Sequence, residues 1–134
     1  MCIIICLTFI CYETYMVSNK TANATTKDEM LLFINELGYD VLSDKPIEKS
    51  VTIPESFSGV YCKYNNLQKS AGFDLSLYKG CEVHIFTYAI KPPYDDYSGD
   101  CVINLIVYKN RVIGGDVSSA ALNGFMLPLI QEKM

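Results

Sequence analysis

Tryptophan is absent from the 134 residues, histidine occurs once, and no Cys-x-x-Cys pair exists. With His84 as the single imidazole, a zinc site of ordinary spacing has no ligand set, and no metal is expected. Basic residues are also few. Eleven Lys and Arg stand against fifteen Asp and Glu, for a net charge of -4. Nucleic acid is thereby excluded as a partner, because phosphate recognition needs clustered cations. The glycines follow neither the P-loop nor the dinucleotide spacing, so neither nucleotide motif is present and no cofactor is expected. The acidic loop KPPYDDYSGD, with Asp95, Asp96 and Asp100, lacks the offsets of an EF-hand and reads as a solvated loop.

Charge is missing altogether from Met1 to Tyr12 (MCIIICLTFICY), and no Lys or Arg precedes Glu13. The run is shorter than the roughly 20 apolar residues that span a bilayer, and it lacks the basic start of a secretory signal. Residues 1–17 are read as an apolar leader, a signal or membrane anchor that is either complete or truncated; a buried first element of the fold is the rival reading. Residues 18–26 form a polar hinge with almost nothing to bury, and residues 27–130 form one domain. About a hundred residues suffice for a core that buries roughly two thirds of the unfolded surface. The expected location is the cell membrane with the domain on the extracytoplasmic side, or secretion. The expected partners are the membrane, through the leader, and an envelope protein or small ligand. Of six cysteines, Cys2, Cys6 and Cys11 lie in the leader; Cys62, Cys81 and Cys101 cannot all pair internally and read as free thiols, with one disulfide in an oxidising compartment as the rival reading.

Within the domain, Thr26 and Glu29 make a capping box ahead of Met30, Leu31, Ile34 and Leu37, and Gly38 supplies a left-handed stop. This pattern predicts a helix from about Lys27 to Leu37. Short extended pieces follow at Tyr39–Leu42 and Glu48–Ile53, around the Asp44-Lys45-Pro46 turn. Pro54 and Glu55 open a second predicted helix. It carries Phe57, Val60, Tyr61, Tyr64, Leu67 and Ala71 on one face, with Lys63, Asn65, Asn66 and Lys69 toward water and Gly72 at its end. Gly59 inside that helix points to close backbone packing. Cys81–Ile90 reads as a strand with bulk on both faces, and Cys101–Tyr108 is the strongest strand in the chain. Lys109-Asn110 forms a two-residue hairpin into Arg111-Val112-Ile113. Gly114-Gly115 then breaks the returning strand, through a bulge or a close backbone. The fold class is α+β: a small antiparallel sheet of three to four strands with two helices packed on one face, preceded by the apolar segment.

Ten tyrosines suit an amphipathic binding surface, and Gly114-Gly115 would let a ligand approach the backbone beside Asp116. The candidate ligand-binding residues are Tyr88, Tyr108, Gly114, Gly115 and Asp116. No catalytic set is assigned. An alternative places a small hydrolase-like or ligand-processing site near the Gly114-Gly115-Asp116 strand break. It requires His84, Asp116 and Ser118 to converge within about 3–4 Å.

The residues Ile53-Pro54-Glu55-Ser56-Phe57, Val60-Tyr61, Tyr64-Asn65, Leu67-Gln68-Lys69 and Gly72-Phe73-Asp74-Leu75-Ser76 carry a resemblance, as do Tyr78-Lys79-Gly80 and Thr87-Tyr88. It continues through Asn104-Leu105, Val107-Tyr108-Lys109, Val112 to Val117 and Gly124-Phe125-Met126. The chain resembles domain-of-unknown-function family 4830, met mainly in Gram-positive bacteria as small proteins behind an N-terminal membrane segment. The likeness covers roughly Met30 to Met126 and is most specific in the Val107–Val117 hairpin. It implies a tethered extracytoplasmic domain and brings no activity, cofactor or catalytic residue. Ser118 stands where the family more often has Cys, and Leu127-Pro128 replaces a His-Gly type ending, so no reactive thiol or C-terminal imidazole is expected here. The leading expectation is therefore a non-enzymatic, envelope-tethered binding or interaction module.

Overall fold

The computed structural model describes residues 23–121 and 124–130; the leader and the first part of the hinge lie outside the described residues. Helix α1 (Lys27–Glu36) begins at the expected capping box. The Glu29 amide donates to Thr26 Oγ1 (3.2 Å), and Glu29 Oε2 accepts from the Thr26 amide (3.3 Å) and the Thr25 amide (2.8 Å). Two amides left unpaired by helix geometry, those of Thr26 and Glu29, are satisfied within one turn, and the Thr25 amide just before them is held as well. Gly38, at φ +93°, ends the helix. Ala24 also belongs to the fold: it is buried, and its amide donates to the Asn110 carbonyl (2.8 Å).

Five strands form one antiparallel meander, in the spatial order of the chain: β1 (Ile47–Thr52), β2 (Glu82–Ile90), β3 (Cys101–Tyr108), β4 (Arg111–Ser119) and β5 (Met126–Pro128). The α+β class holds, but the sheet has five strands rather than three to four. The additional strand is β5, three residues near the end of the domain whose Leu127 pairs with Val117. Tyr39–Leu42 contributes only a single bridge, Val41 to Ile90. The β3–β4 turn is as expected: Lys109 and Asn110 take φ +47° and +64°, the pair of positive values that matches strand twist in a two-residue hairpin.

The irregularity expected at the glycines of β4 is a bulge just before them, and the strand runs on through it. Val107 pairs with Val112 and Ile106 with Gly114, which leaves Ile113 as the extra residue. The bulge changes the phase of the side chains. Val112 and Val117 are five positions apart, which simple alternation would send to opposite faces, yet both join the same cluster.

The two helices lie on opposite faces of the sheet, not on one. On β3, Ile103, Leu105 and Val107 cluster with Met30 and Ile34 of α1, while Ile106, from the alternate register, clusters with Tyr61 and Tyr64 of helix α2 (Gly59–Ser70). The bulk on both faces of β2 is the physical reason: each apolar face needs its own cover. Helix α2 starts at Gly59, five residues later than Pro54. Gly59 takes φ +43°, and nothing stands within 4 Å of where a Cβ would be, so its role is conformational rather than close packing.

The stripe that α2 turns inward is Tyr61, Tyr64, Asn65 and Gln68, at i, i+3, i+4 and i+7, while Val60 is 84% exposed. Asn65 is buried, not solvated. It accepts from the Leu75 amide (2.7 Å) and donates to Asp74 Oδ1 (3.0 Å), tying α2 to the 3-10 turn Leu75–Tyr78. Hydrogen bonds from Ser76, then Asn65, hold the Asp74 carboxyl down to about 2.

Gly114 and Gly115 let α2 close onto β4. Gln68 Oε1 accepts from the Gly115 amide (2.8 Å), and it lies 2.8 Å from where a Gly114 Cβ would stand. Gly115 takes φ +153°, and a Cβ there would overlap the Asn104 carbonyl oxygen. Gly115→Ala is expected to cost about 2–4 kcal/mol from backbone strain and overpacking. A urea titration of the full chain checks this: the midpoint should fall with little change in slope. Thr26→Ala, which removes one cap, should cost about 1 kcal/mol in the same titration.

Candidate functional site

A row of polar side chains crosses the α2 face of the sheet where apolar ones would be expected. Thr87 pairs in register with Asn104, and Asn104 with Asp116, so three neighbouring strands present Thr, Asn and Asp side by side. Thr87 Oγ1 donates to Asn104 Oδ1 (2.5 Å), which leaves Asn104 Nδ2 to donate to Asp116 Oδ1 (3.0 Å). From above, the Tyr64 hydroxyl donates to Asp116 Oδ2 (2.7 Å). Every bond in the chain is directed toward the carboxylate, which is 3% exposed. Hydrogen bonds to a buried charge are the strong kind. The Tyr64 hydroxyl is correspondingly hard to ionise: burial pushes its pKa up first, and the Asp116 charge and hydrogen bond push it further.

Asp116, Asn104 and Tyr64 open onto a groove of about 380 Å³. Its far wall is Val51, Ile53 and Pro54, from β1 and the segment after it; its floor is Val83, Ile85 and Ile106; Tyr61 stands beside Tyr64 on the helix side. Lys49 and Thr52, both exposed, complete the lining. Two larger depressions exist. One of about 510 Å³ lies at the end of α1 beside Asp40, Lys91 and Tyr94. The other, of about 580 Å³, lies on the α1 face beside Met30, His84 and Phe86. Neither is lined by a buried carboxylate, so the α2-face groove is the one with chemistry to offer.

The five residues singled out from sequence do not form one site. Asp116 lines the groove. Gly114 and Gly115 act beneath α2, where they admit Gln68. Tyr108 shares the α2 face but stacks edge-on against Tyr78 (centroids 5.4 Å apart), away from the groove lining. Tyr88 lies on the other face, fully buried in the α1-side cluster, and serves as core. The set required by the enzymatic alternative also fails to converge. His84 projects to the α1 side, where Nδ1 lies 3.3 Å from both Ser50 Oγ and Glu48 Oε1, while Asp116 and Ser118 are on the α2 side. Among the described residues, no group of three His, Cys, Asp or Glu side chains could hold a metal ion.

Sequence reasoning missed Tyr64, Asn104 and Gln68 as members of this arrangement. One signal was available: Asn104 interrupts CVINLIVY, and an amide in the middle of a central strand needs a partner. Gln68 had no comparable signal, since a glutamine on a helix ordinarily faces water.

Because Tyr64 keeps its proton in the folded protein to a higher pH than in the unfolded chain, its contribution is fully present below about pH 10 and declines as pH rises further. Stability should therefore fall above pH 10, with a share from Tyr64 approaching about 1.4 kcal/mol per pH unit. Tyr64→Phe should flatten that decline. Near neutral pH the same variant should cost about 1.5–3 kcal/mol for the lost bond to a charged group. Urea midpoints of both proteins at pH 7 and above pH 10 check the two effects together.

Comparison with curated proteins and with solved structures found no match. The family described as Domain of unknown function (DUF4830) matches residues 33–117, a span from the middle of α1 to β4 that takes in α2, the glycine pair and Asp116. That span is well over half of the chain, and the protein belongs to this family.

Proposed function

We propose that the protein is a non-enzymatic binding module of the bacterial cell envelope, tethered or exported through its apolar N-terminal segment, with its ligand site in the α2-face groove. The observation that carries the binding reading is the groove itself: apolar walls converge on a few fixed polar groups, the usual composition of a small-ligand site. These groups are immobilised before any ligand arrives. Asp116 is held from two sides, and Asn104 is held by Thr87. Pre-organisation of this kind favours binding, because little side-chain freedom remains to be lost.

Catalysis is disfavoured by the same contacts. The Asp116 partners are a tyrosine hydroxyl and an amide, and the single histidine is on the other side of the sheet. The Tyr64 hydroxyl that meets Asp116 is held protonated by burial and by the carboxylate, which makes it a poor nucleophile. The tether rests on the charge-free stretch Met1 to Tyr12; among the described residues no helix is long and apolar enough to cross a membrane.

Fractionation of cells expressing the full chain tests the placement. The protein is expected in the membrane or external fraction, and protease added to wall-stripped cells should remove it. Recovery of an intact, protease-protected chain in the cytosol would overturn the envelope reading.

A further inference from the structure

We propose that the α2-face groove selects an organic monocation, an ammonium group seated against Asp116 and carried on an apolar body that lies along Ile85, Ile106 and Val51. This inference rests on the groove being a binding site and names the chemistry of what enters it.

The first observation is a charge without a countercharge. Asp116 is 3% exposed, and both its hydrogen-bond donors, Tyr64 and Asn104, are neutral. The ion pairs among the described residues are Lys27 with Asp44 and His84 with Glu48; none reaches Asp116. A buried anion without an opposite charge is costly, and a cation meeting it out of water is attracted far more strongly than at the surface. A carboxylate offers about four acceptor positions, and two here are in use. The remainder can accept from an ammonium.

The second observation is that the groove has little to offer an anion. Asn104 gives its Nδ2 to Asp116, and Tyr64 has spent its one proton there. The cation in the lining is Lys49, exposed on the edge strand. An anionic ligand would have to face Asp116 to reach the apolar floor. The third observation is the wall itself. Ile106 and Ile53 are nearly inaccessible, Val51 and Ile85 are half-buried, and Tyr61 and Tyr64 line the helix side, where aromatic rings suit a cation beside an aliphatic chain.

Three probes of equal length and different charge test the idea on the full, isotopically labelled chain: butylammonium, butan-1-ol and butanoate, each followed by amide chemical shifts. Butylammonium is expected to move the signals of Ile85, Asn104 and Asp116 saturably, with an affinity about tenfold above that of butan-1-ol; butanoate should leave them in place. Asp116→Asn should erase the difference between butylammonium and butan-1-ol. Should that variant fail to fold, Lys49→Ala leaves the polar row untouched and should tighten butylammonium about threefold by removing a like charge. Saturable binding of butanoate with none of butylammonium would overturn the cation inference and leave the binding-site reading standing. Failure of all three probes to move these signals would overturn both.

Discussion

The contact on which the architecture depends is the approach of Gln68 to the backbone of β4. Two successive positions without a Cβ allow a helix side chain to reach the strand and accept from the Gly115 amide. Without that approach α2 would ride higher above the sheet, and Tyr64, one turn earlier on the same stripe, would not reach Asp116. The bulge at Ile113 works with it. By shifting the phase of β4, it aims Asp116 at the α2 face and sends Val112 and Val117 to the α1 core. One irregular stretch of four residues thus sets helix docking, the filling of both cores and the position of the only buried carboxylate among the described residues.

Much of the fold was legible where the deciding residues are neighbours in the chain. The capping box of α1, the Cys101–Tyr108 strand and the Lys109-Asn110 hairpin follow from local chemistry, and all three stand as expected. The bulk on both faces of β2 is compatible with cover on two sides, yet the expectation placed both helices on one face, because alternation along a strand does not say where a helix docks. The assignment depends on α2 reaching the glycines of β4, a contact 47 residues apart in sequence. Strand β5 escaped notice for another reason. Three residues ending in Pro128 are too few for a period-2 pattern, and the register with Val117 supplies what the sequence does not.

Of the residues singled out from sequence, only Asp116 belongs to the candidate site. The bulge and the close backbone expected at Gly114-Gly115 are both present, but the close approach admits Gln68 of α2 rather than a ligand. Tyr88 and Tyr108 were chosen because tyrosines suit binding surfaces. One of them is core and the other part of an aromatic contact, the commoner fates of such residues. The members that complete the network, Asn104 and Tyr64, become visible only when strands are paired and the helix is set above them. Polar groups inside a sheet reveal their purpose through partners, and those partners are distant in sequence.

The groove itself follows from simple dimensions. Five strands at about 4.8 Å spacing make a sheet roughly 19 Å across between its outer strands, whereas a helix with side chains is about 10 Å wide. One helix per face cannot cover five strands, so a trough must remain beside each. The α1-side trough is bordered by the half-exposed His84 and Glu48, whose interaction is shared with water. On the other side the trough ends against Asp116, shielded from water and supported only by neutral donors. Geometry alone therefore supplies two depressions. What distinguishes them is the dielectric setting of their charges, because a weakly solvated carboxylate discriminates between ligand charges far more sharply than a pair at the surface.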